Sequence, residues 1–242
     1  MAPAPKHSHQ EQQQLILDAA AKCIEDTSLL DFTMSAISKE AGLSMGSIYK
    51  HIQSKEDVLV ALATEVYVNL HKVFTQVMSL PVPYALRLIG LQMISIESSQ
   101  LYSFDDHLEM LVANEAVLQR ASSSWLEKMI DSNIAVETLC TSNISQAVED
   151  GELVVTETNK DDLIEEIKLG CWSMHVGYLQ VARQRYSRNL VGKGIELQFP
   201  LQVDAAIVQA QKRLINTYPW KQPVTDGDIQ HLCRLMEEQG LR

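Results

Sequence analysis

The chain has 242 residues, with 20 Lys+Arg against 31 Asp+Glu for a net charge of −11. At 46% hydrophobic and 21% charged it is neither a disordered nor a fibrous sequence, and its length allows one or two domains with a sizeable core. The acid excess argues against wholesale coating of nucleic acid but leaves room for a local DNA site.

The longest uncharged runs, residues 73–86 and 169–182, fall short of the ~18 apolar residues of a membrane span and are interrupted by polar residues or Pro. Residues 1–14 are rich in Pro, His and Gln and lack the apolar stretch of a signal peptide, so the expected location is cytoplasmic, with no membrane partner. Cys23, Cys140, Cys171 and Cys233 are scattered, form no C-x-x-C pair, and are expected to be free thiols.

Prolines stand at 3, 5, 81, 83, 200, 219 and 223, leaving 6–80 and 84–199 free of them. Because Pro terminates helices, this placement predicts two long helical tracts and a helical tail, an all-α fold. The nearest approach to a strand is Leu153-Val154-Val155-Thr156. Residues 1–11 read as a disordered tail. A first helix follows over about 12–25, with Ile16, Leu17, Ala20, Cys23 and Ile24 on one face. A short helix over 34–41 is capped by Thr33, and another over 45–51 by Ser44. A fourth starts at Ser54, with Asp57 placed nearly as in a capping box, and carries an apolar stripe from Val58 to Val77. The natural boundary is Ser79-Leu80-Pro81-Val82-Pro83, giving a head at 12–79 and a larger helical domain at 80–242. Helices there are expected at about 83–101, 104–121, 123–149, 159–186, 201–217 and 226–239.

Residues 33–51 combine a short helix, a Gly-containing turn and a second short helix, the pattern of a helix-turn-helix. Ala41 is small where the helices cross, Gly42 permits the turn, and Ile37, Leu43 and Ile48 lock the pair. Ser44 caps the recognition helix, whose first N–H groups suit a phosphate. Gly46 lets the backbone approach DNA. Met45, Ser47, Tyr49, Lys50 and His51 are left on the outside.

The N-terminal segment resembles the TetR family of transcriptional regulators. The resemblance is carried by Ile16-Leu17-Asp18-Ala19-Ala20, Thr33-Met34, Ile37, the run Ala41-Gly42-Leu43-Ser44-Met45-Gly46-Ser47-Ile48-Tyr49-Lys50-His51, and Ser54-Lys55-Glu56. It covers about residues 12–75, with a weaker echo at 144–153. The sequence departs from the usual pattern at Phe32, Ser38, Met45 and Ile52. Residues 1–80 contain no Arg, and six Lys against nine Asp/Glu leave them at net −3. The resemblance implies that Thr33, Ser44, Tyr49, His51 and Lys55 touch phosphates, that Ser47 and Lys50 reach base edges, and that Met45 and Gly46 lie at the same surface. It also implies a dimeric C-terminal domain holding a small-molecule effector.

In the second half, Leu163, Ile167, Gly170, Met174, Gly177 and Val181 recur in steps of four and three, a heptad-like seam. Val203, Ile207, Ala210 and Leu214 have similar spacing. Together they are the expected homodimer contact. Met93, Glu97, Met110, Trp125, Met129, Trp172 and His175 are effector-pocket candidates by residue type. A competing constellation, Asp105-Asp106-His107-Leu108-Glu109, resembles the aspartate-rich Mg²⁺-diphosphate motif of all-α isoprenoid synthases, with Asp161, Asp162, Glu165 and Glu166 as its second acidic set. Both acidic runs sit near expected helix N-termini, where carboxylates favour the dipole, and read as caps before they read as a metal site.

The leading reading is therefore a ligand-responsive, non-enzymatic regulator, usually a repressor. It would bind a pseudo-palindromic double-stranded operator as a homodimer and would need no cofactor or metal. The alternatives are an all-α Mg²⁺-dependent enzyme and a helical interaction protein whose head has lost DNA binding.

Overall fold

The computed structural model describes residues 8–156, 158–196 and 198–242. Among them the backbone forms twelve α-helices, one short 3-10 helix and a single isolated β-bridge. The fold is all-α, with an N-terminal helix-turn-helix and a larger C-terminal helical part.

Helix α1 spans His9–Asp26, starting earlier than the expected residue 12 and inside the segment that reads as a tail over 1–11. The cause is Ser8. Its Oγ accepts from the Glu11 N–H (3.2 Å), and the Glu11 carboxylate accepts from the Ser8 N–H (2.7 Å), a complete capping box. The rest of that tail, 1–7, lies outside the described residues. Helix α2 is Met34–Ala41, α3 is Met45–Ile48 and α4 is Lys55–Met78. Helix α3 is shorter than the expected 45–51. Lys50 and His51 instead donate to carbonyls three residues back, at 3.3 and 2.9 Å, in a tightened final turn.

One 18-residue window of α4 has a mean hydropathy of 1.2, so this helix is long and apolar enough to cross a membrane by composition, contrary to expectation. Its first half is buried in protein, with Val58, Val60, Ala61, Leu62 and Ala63 all at 0% exposure, while Val68 is 58% exposed. A helix covered on several faces must be apolar on several faces.

The described residues form two compact units, one within 8–69 and 100–134 and the other within 70–99, 135–156, 158–196 and 198–242. They do not divide at Pro81. Proline ends a helix, but compactness follows side-chain packing, and residues 100–134 pack into the unit of the head. That unit contains α1–α3, the start of α4, α7 (Asp105–Val112), α8 (Glu115–Leu118) and the first turns of α9 (Ser123–Glu149). Its core includes Ile16, Ala20, Ile37, Ile48, Ile52 and Leu62, with Phe32 beside them. The second unit holds α5 (Tyr84–Met93), α6 (Ile96–Ser99), the end of α9, α10 (Lys160–Ser187), α11 (Ala206–Ile215) and α12 (Asp226–Glu238). Leu88, Ile89, Met93, Ile144, Ile167, Val208, Ile215 and Leu232 form its core.

Two expected helices are each split by a polar cap hidden in an apolar rhythm. The helix expected over 83–101 breaks at Ile94-Ser95, where Ser95 Oγ accepts from the Ser98 N–H (3.2 Å) and starts α6. The helix expected over 104–121 breaks at Ala113-Asn114, where Asn114 Oδ1 accepts from the Ala116 N–H (2.9 Å). The helix expected over 201–217 spans only Ala206–Ile215, preceded by the buried Leu201 (3% exposed) and a turn in which the Ala205 N–H donates to the Gln202 carbonyl (3.0 Å). The strand-like run at 153–156 forms only the Leu153–Trp220 bridge.

Candidate nucleic-acid interface

Three local devices build the helix-turn-helix. Thr33 Oγ1 accepts from the Ala36 N–H (3.1 Å) and starts α2. Gly42 ends it at φ 64°, a left-handed position that a side chain would strain, with the Leu43 N–H reaching the Ser38 carbonyl at 3.2 Å. The Ser38 hydroxyl, where the TetR pattern has Ala, donates to the Leu43 carbonyl (2.7 Å) and closes the turn from inside. Ser44 Oγ then accepts from the Ser47 N–H (3.2 Å) and starts α3. Ile37 and Ile48, both at 0% exposure, pack the two helices onto the core.

Thr33, Ser44, Gly46, Tyr49 and Lys50 are exposed, while Met45, Ser47, His51 and Lys55 are half-buried. An added Cβ at Gly46 would meet only Ser44 Oγ, at 3.9 Å, so the fold itself does not require glycine there. Ser47 Oγ lies 3.0 Å from Ser44 Oγ. The His51 ring sits 4.2 Å from that of His9, with Nε2 at 3.4 Å from Gln12 Oε1 and Nδ1 buried without a partner. Burial first, then the neighbouring His9 and Lys50 charges, hold His51 below the usual imidazole range. Lys55 is committed within the head. Its Nζ donates to the Leu30 carbonyl (3.1 Å) and lies 4.4 Å from the centre of the Phe32 ring. Phe32, a departure from the family pattern, thus has a use as the platform for this lysine.

Two residues of this unit carry more than their sequence context reveals. Asp57, at 0% exposure, accepts from the Gln53 N–H through Oδ2 (2.9 Å) and from the Ser122 N–H through Oδ1 (2.6 Å). The Ser54-x-x-Asp57 spacing points to the bond from the Asp57 N–H to Ser54 Oγ (3.0 Å), but nothing local points to the one from Ser122. Trp125, expected among pocket residues, donates its indole N–H to the His51 carbonyl (3.0 Å) at the end of the recognition segment. Lys128 lies over its ring at 4.4 Å.

The other pocket candidates divide between the units. Met110 is 52% exposed and Met129 is 6% exposed, both in the unit of the head. Met93 is core at 0%, Glu97 is exposed, Trp172 is 42% exposed, and His175 is half-buried, all in the second unit. His175 Nδ1 lies 3.3 Å from Gln92 Oε1, and burial pulls the imidazole down to about 4. Two buried amides of the second unit are incompletely satisfied. Gln211 Nε2 donates to the Leu88 carbonyl and Asn143 Nδ2 to the Tyr84 carbonyl, each at 3.1 Å, leaving both side-chain oxygens without partners.

The acidic run at α7 is built as a cap. Asp105 accepts from the N–H groups of Leu101 (2.6 Å) and Tyr102 (3.0 Å). Burial, and then the Asp105 charge, push Glu109 up to about 7, and burial with Glu109 beside it holds Tyr67 at about 12. In the second acidic run, Glu165 pairs with Lys168, which also meets Glu137. Among the described residues no group of three or more His, Cys, Asp or Glu is placed to hold a metal ion.

The expected dimer seam separates into two sets. Ile167 is at 0% exposure in the core of the chain, and a Cβ at Gly170 would stand 3.2 Å from Leu214 Cδ2, so both serve packing within one chain, Gly170 that of α10 on α11. Gly177 has open space around it, Val181 is 52% exposed, and Leu163, Met174, Val203, Ile207, Ala210 and Leu214 are half-buried. A further apolar strip on α10, Leu169, Trp172 and Val176, is 46%, 42% and 38% exposed.

A family model described as bacterial regulatory proteins, tetR family, matches residues 16–62. No curated protein matches the sequence. Among solved structures, the fold is similar to that of a protein with unknown function from Rhodococcus sp. RHA1, with TM-score 0.58 and 16% identity over 90% of this chain and 100% of that one. It is similar to the reduced form of E. coli NemR, with TM-score 0.54 and 14% identity over 88% and 100% of the two chains. A TetR/AcrR-family transcriptional regulator from Thermobifida fusca YX-ER1 gives TM-score 0.53 and 14% identity over 86% and 98%. At these identities the shared property is the fold. Residues 16–62 thus match the amino-terminal domain of the tetR family, and the chain around them has a TetR-like fold.

Proposed function

We propose that the chain is a cytoplasmic, ligand-responsive repressor that binds a pseudo-palindromic operator as a homodimer. The observation that carries this reading is the capped, outward-facing recognition segment, with Ser44 holding the start of α3 and Tyr49 and Lys50 exposed beyond it. Lys50 and Ser47 would read base edges in the major groove, while Thr33, Ser44, Tyr49 and His51 contact phosphates. Lys55 joins them only by giving up its Leu30 carbonyl. Met174, Gly177, Val181, Val203, Ile207, Ala210 and Leu214 would form the contact between protomers. The small-molecule effector would be held in the second unit. An effector that favours one spacing of the two heads would shift affinity for the operator.

Fluorescence anisotropy of the full chain on labelled duplex DNA from upstream of its own gene tests the reading. Saturable binding that is lost on scrambling the sequence is expected. Equal affinity for both duplexes, or none for either, would overturn it.

A further inference from the structure

The recognition segment is too short to fix its own shape. Helix α3 has four residues, Met45–Ile48, and after it the N–H groups of Tyr49, Lys50, His51 and Ile52 turn back to the carbonyls of Met45, Ser47 and Ile48. So few backbone bonds leave a one-turn helix marginal by itself, and what packs against it must set its direction. Ile48, at 0% exposure, fixes the inner side, while Tyr49 and Lys50 are exposed. The residue that follows them, His51, is held from two other elements. Its ring lies against His9 and Gln12 of α1. Its carbonyl, at a helix end where such groups lose their intrahelical donors, accepts the Trp125 indole N–H at 3.0 Å from 74 residues away.

Trp125 is 5% exposed, in the first turn of α9, and Lys128, one turn on, stands over its ring at 4.4 Å. Just ahead of that turn the Ser122 N–H reaches the Asp57 carboxylate at 2.6 Å. Residues 122–125 therefore grip the chain at 51 and again at 57, on either side of the link from the recognition segment to α4. All of these residues belong to the unit of the head. Removing the indole donor would leave the His51 carbonyl unpaired and release the turn that carries Tyr49 and Lys50.

We infer that Trp125 is a positioning residue for operator recognition: by capping the His51 carbonyl it sets the direction of Lys50 and Tyr49 without touching DNA itself. The inference rests on the DNA-binding reading above. Two consequences separate positioning from a contribution to stability alone. Loss of the bond costs affinity for the operator and not for unrelated duplex, because base reading needs a defined direction and phosphate attraction does not. It also absorbs the effect of Lys50, since a lysine already misdirected has no base contact left to lose.

The test is anisotropy of the full chain on the operator duplex and on its scrambled counterpart. Trp125→Phe keeps an aromatic ring beneath Lys128 and removes the N–H. It is expected to raise the operator Kd at least about tenfold, as the binding-competent fraction of heads falls, and to leave the Kd for scrambled duplex within about twofold. Lys50→Ala alone is expected to weaken operator binding, and the double variant to bind no more weakly than the weaker single one. Should Trp125→Phe fail to fold, β-(3-benzothienyl)alanine at position 125, which keeps the bicyclic ring with sulfur in place of the N–H, makes the same comparison. Unchanged operator affinity, an equal loss on both duplexes, or additive losses in the double variant would overturn the role of Trp125 and leave the DNA-binding reading standing. A parent chain that does not distinguish the two duplexes would overturn both.

Discussion

At Gly46 a methyl group has space and would favour the helix, so any penalty for adding one must come from outside the chain. Gly46→Ala is expected to leave the melting temperature unchanged or slightly higher. It should weaken operator binding at least about tenfold, ~1.4 kcal/mol, because the backbone could no longer approach DNA as closely. Unchanged affinity in an anisotropy titration would remove this position from the interface. Glu109 gives a prediction of a different kind. Its folded-state value of about 7 lies above the ordinary 4.5, so the folded state holds the proton more tightly than the unfolded one. The resulting stabilisation is full below about pH 4.5 and is lost as pH rises through about 7. Glu109→Gln should remove that dependence and raise stability at pH 8 by roughly 1–3 kcal/mol, discounted for a half-buried group. Urea midpoints for both proteins at pH 5 and pH 8 check this. Equal slopes against pH would show that the carboxyl is solvated in solution.

Helix α10 separates two uses of small residues that look alike in the sequence. Gly170 and Gly177 share one seven-residue rhythm, yet one faces the chain's own Leu214 and the other faces open space. Gly170→Ala should therefore destabilise the single chain by about 1 kcal/mol, the lower end of overpacking. Gly177→Arg should leave thermal stability measured in the monomer unchanged and separate the protomers. Reversal of these outcomes, read by sedimentation and calorimetry together, would place the contact on another face. The same helix shows what periodicity can and cannot tell. Its existence and span were legible from residues 159–186, and so was the helix-turn-helix, because Thr33, Gly42 and Ser44 are local signals acting on local backbone. The core-facing arc of α10, with Ile164, Cys171 and Ala182 buried, was not legible, since apolar residues occur all round the helix. The breaks at Ser95 and Asn114 were missed because one polar residue in an apolar rhythm reads as surface until its bond to a backbone N–H is seen. The bond from Trp125 to the His51 carbonyl joins residues distant in sequence, and no spacing rule reaches it.

For the whole molecule the sign of the charge sets how DNA must be held. The matched head has no Arg, Lys22 pairs with Glu40, and Lys55 is bound to a carbonyl, leaving Lys39 and Lys50 as the exposed lysines of the helix-turn-helix. With Lys50 at base edges, each head has one exposed lysine, Lys39, left for a phosphate, so two heads give a log–log salt dependence no steeper than about −2, from ~0.9 per phosphate. Titrations between 50 and 300 mM salt measure it, and a slope near −8 would mean that other cations reach the duplex. Affinity would then rest mainly on groove fit and on having two heads, so a chain locked as a monomer should lose operator binding steeply. The carboxylate of Asp57 has a kinetic consequence as well. It alone accepts the amide protons of Gln53, ahead of α4, and Ser122, ahead of α9. Neither proton can reach solvent unless that buried side chain lets go, so one opening event should release both. In native-state hydrogen–deuterium exchange the two amides are expected to show the same protection and the same response to denaturant, and Asp57→Ala should accelerate both together. Independent exchange would mean that the two bonds break separately.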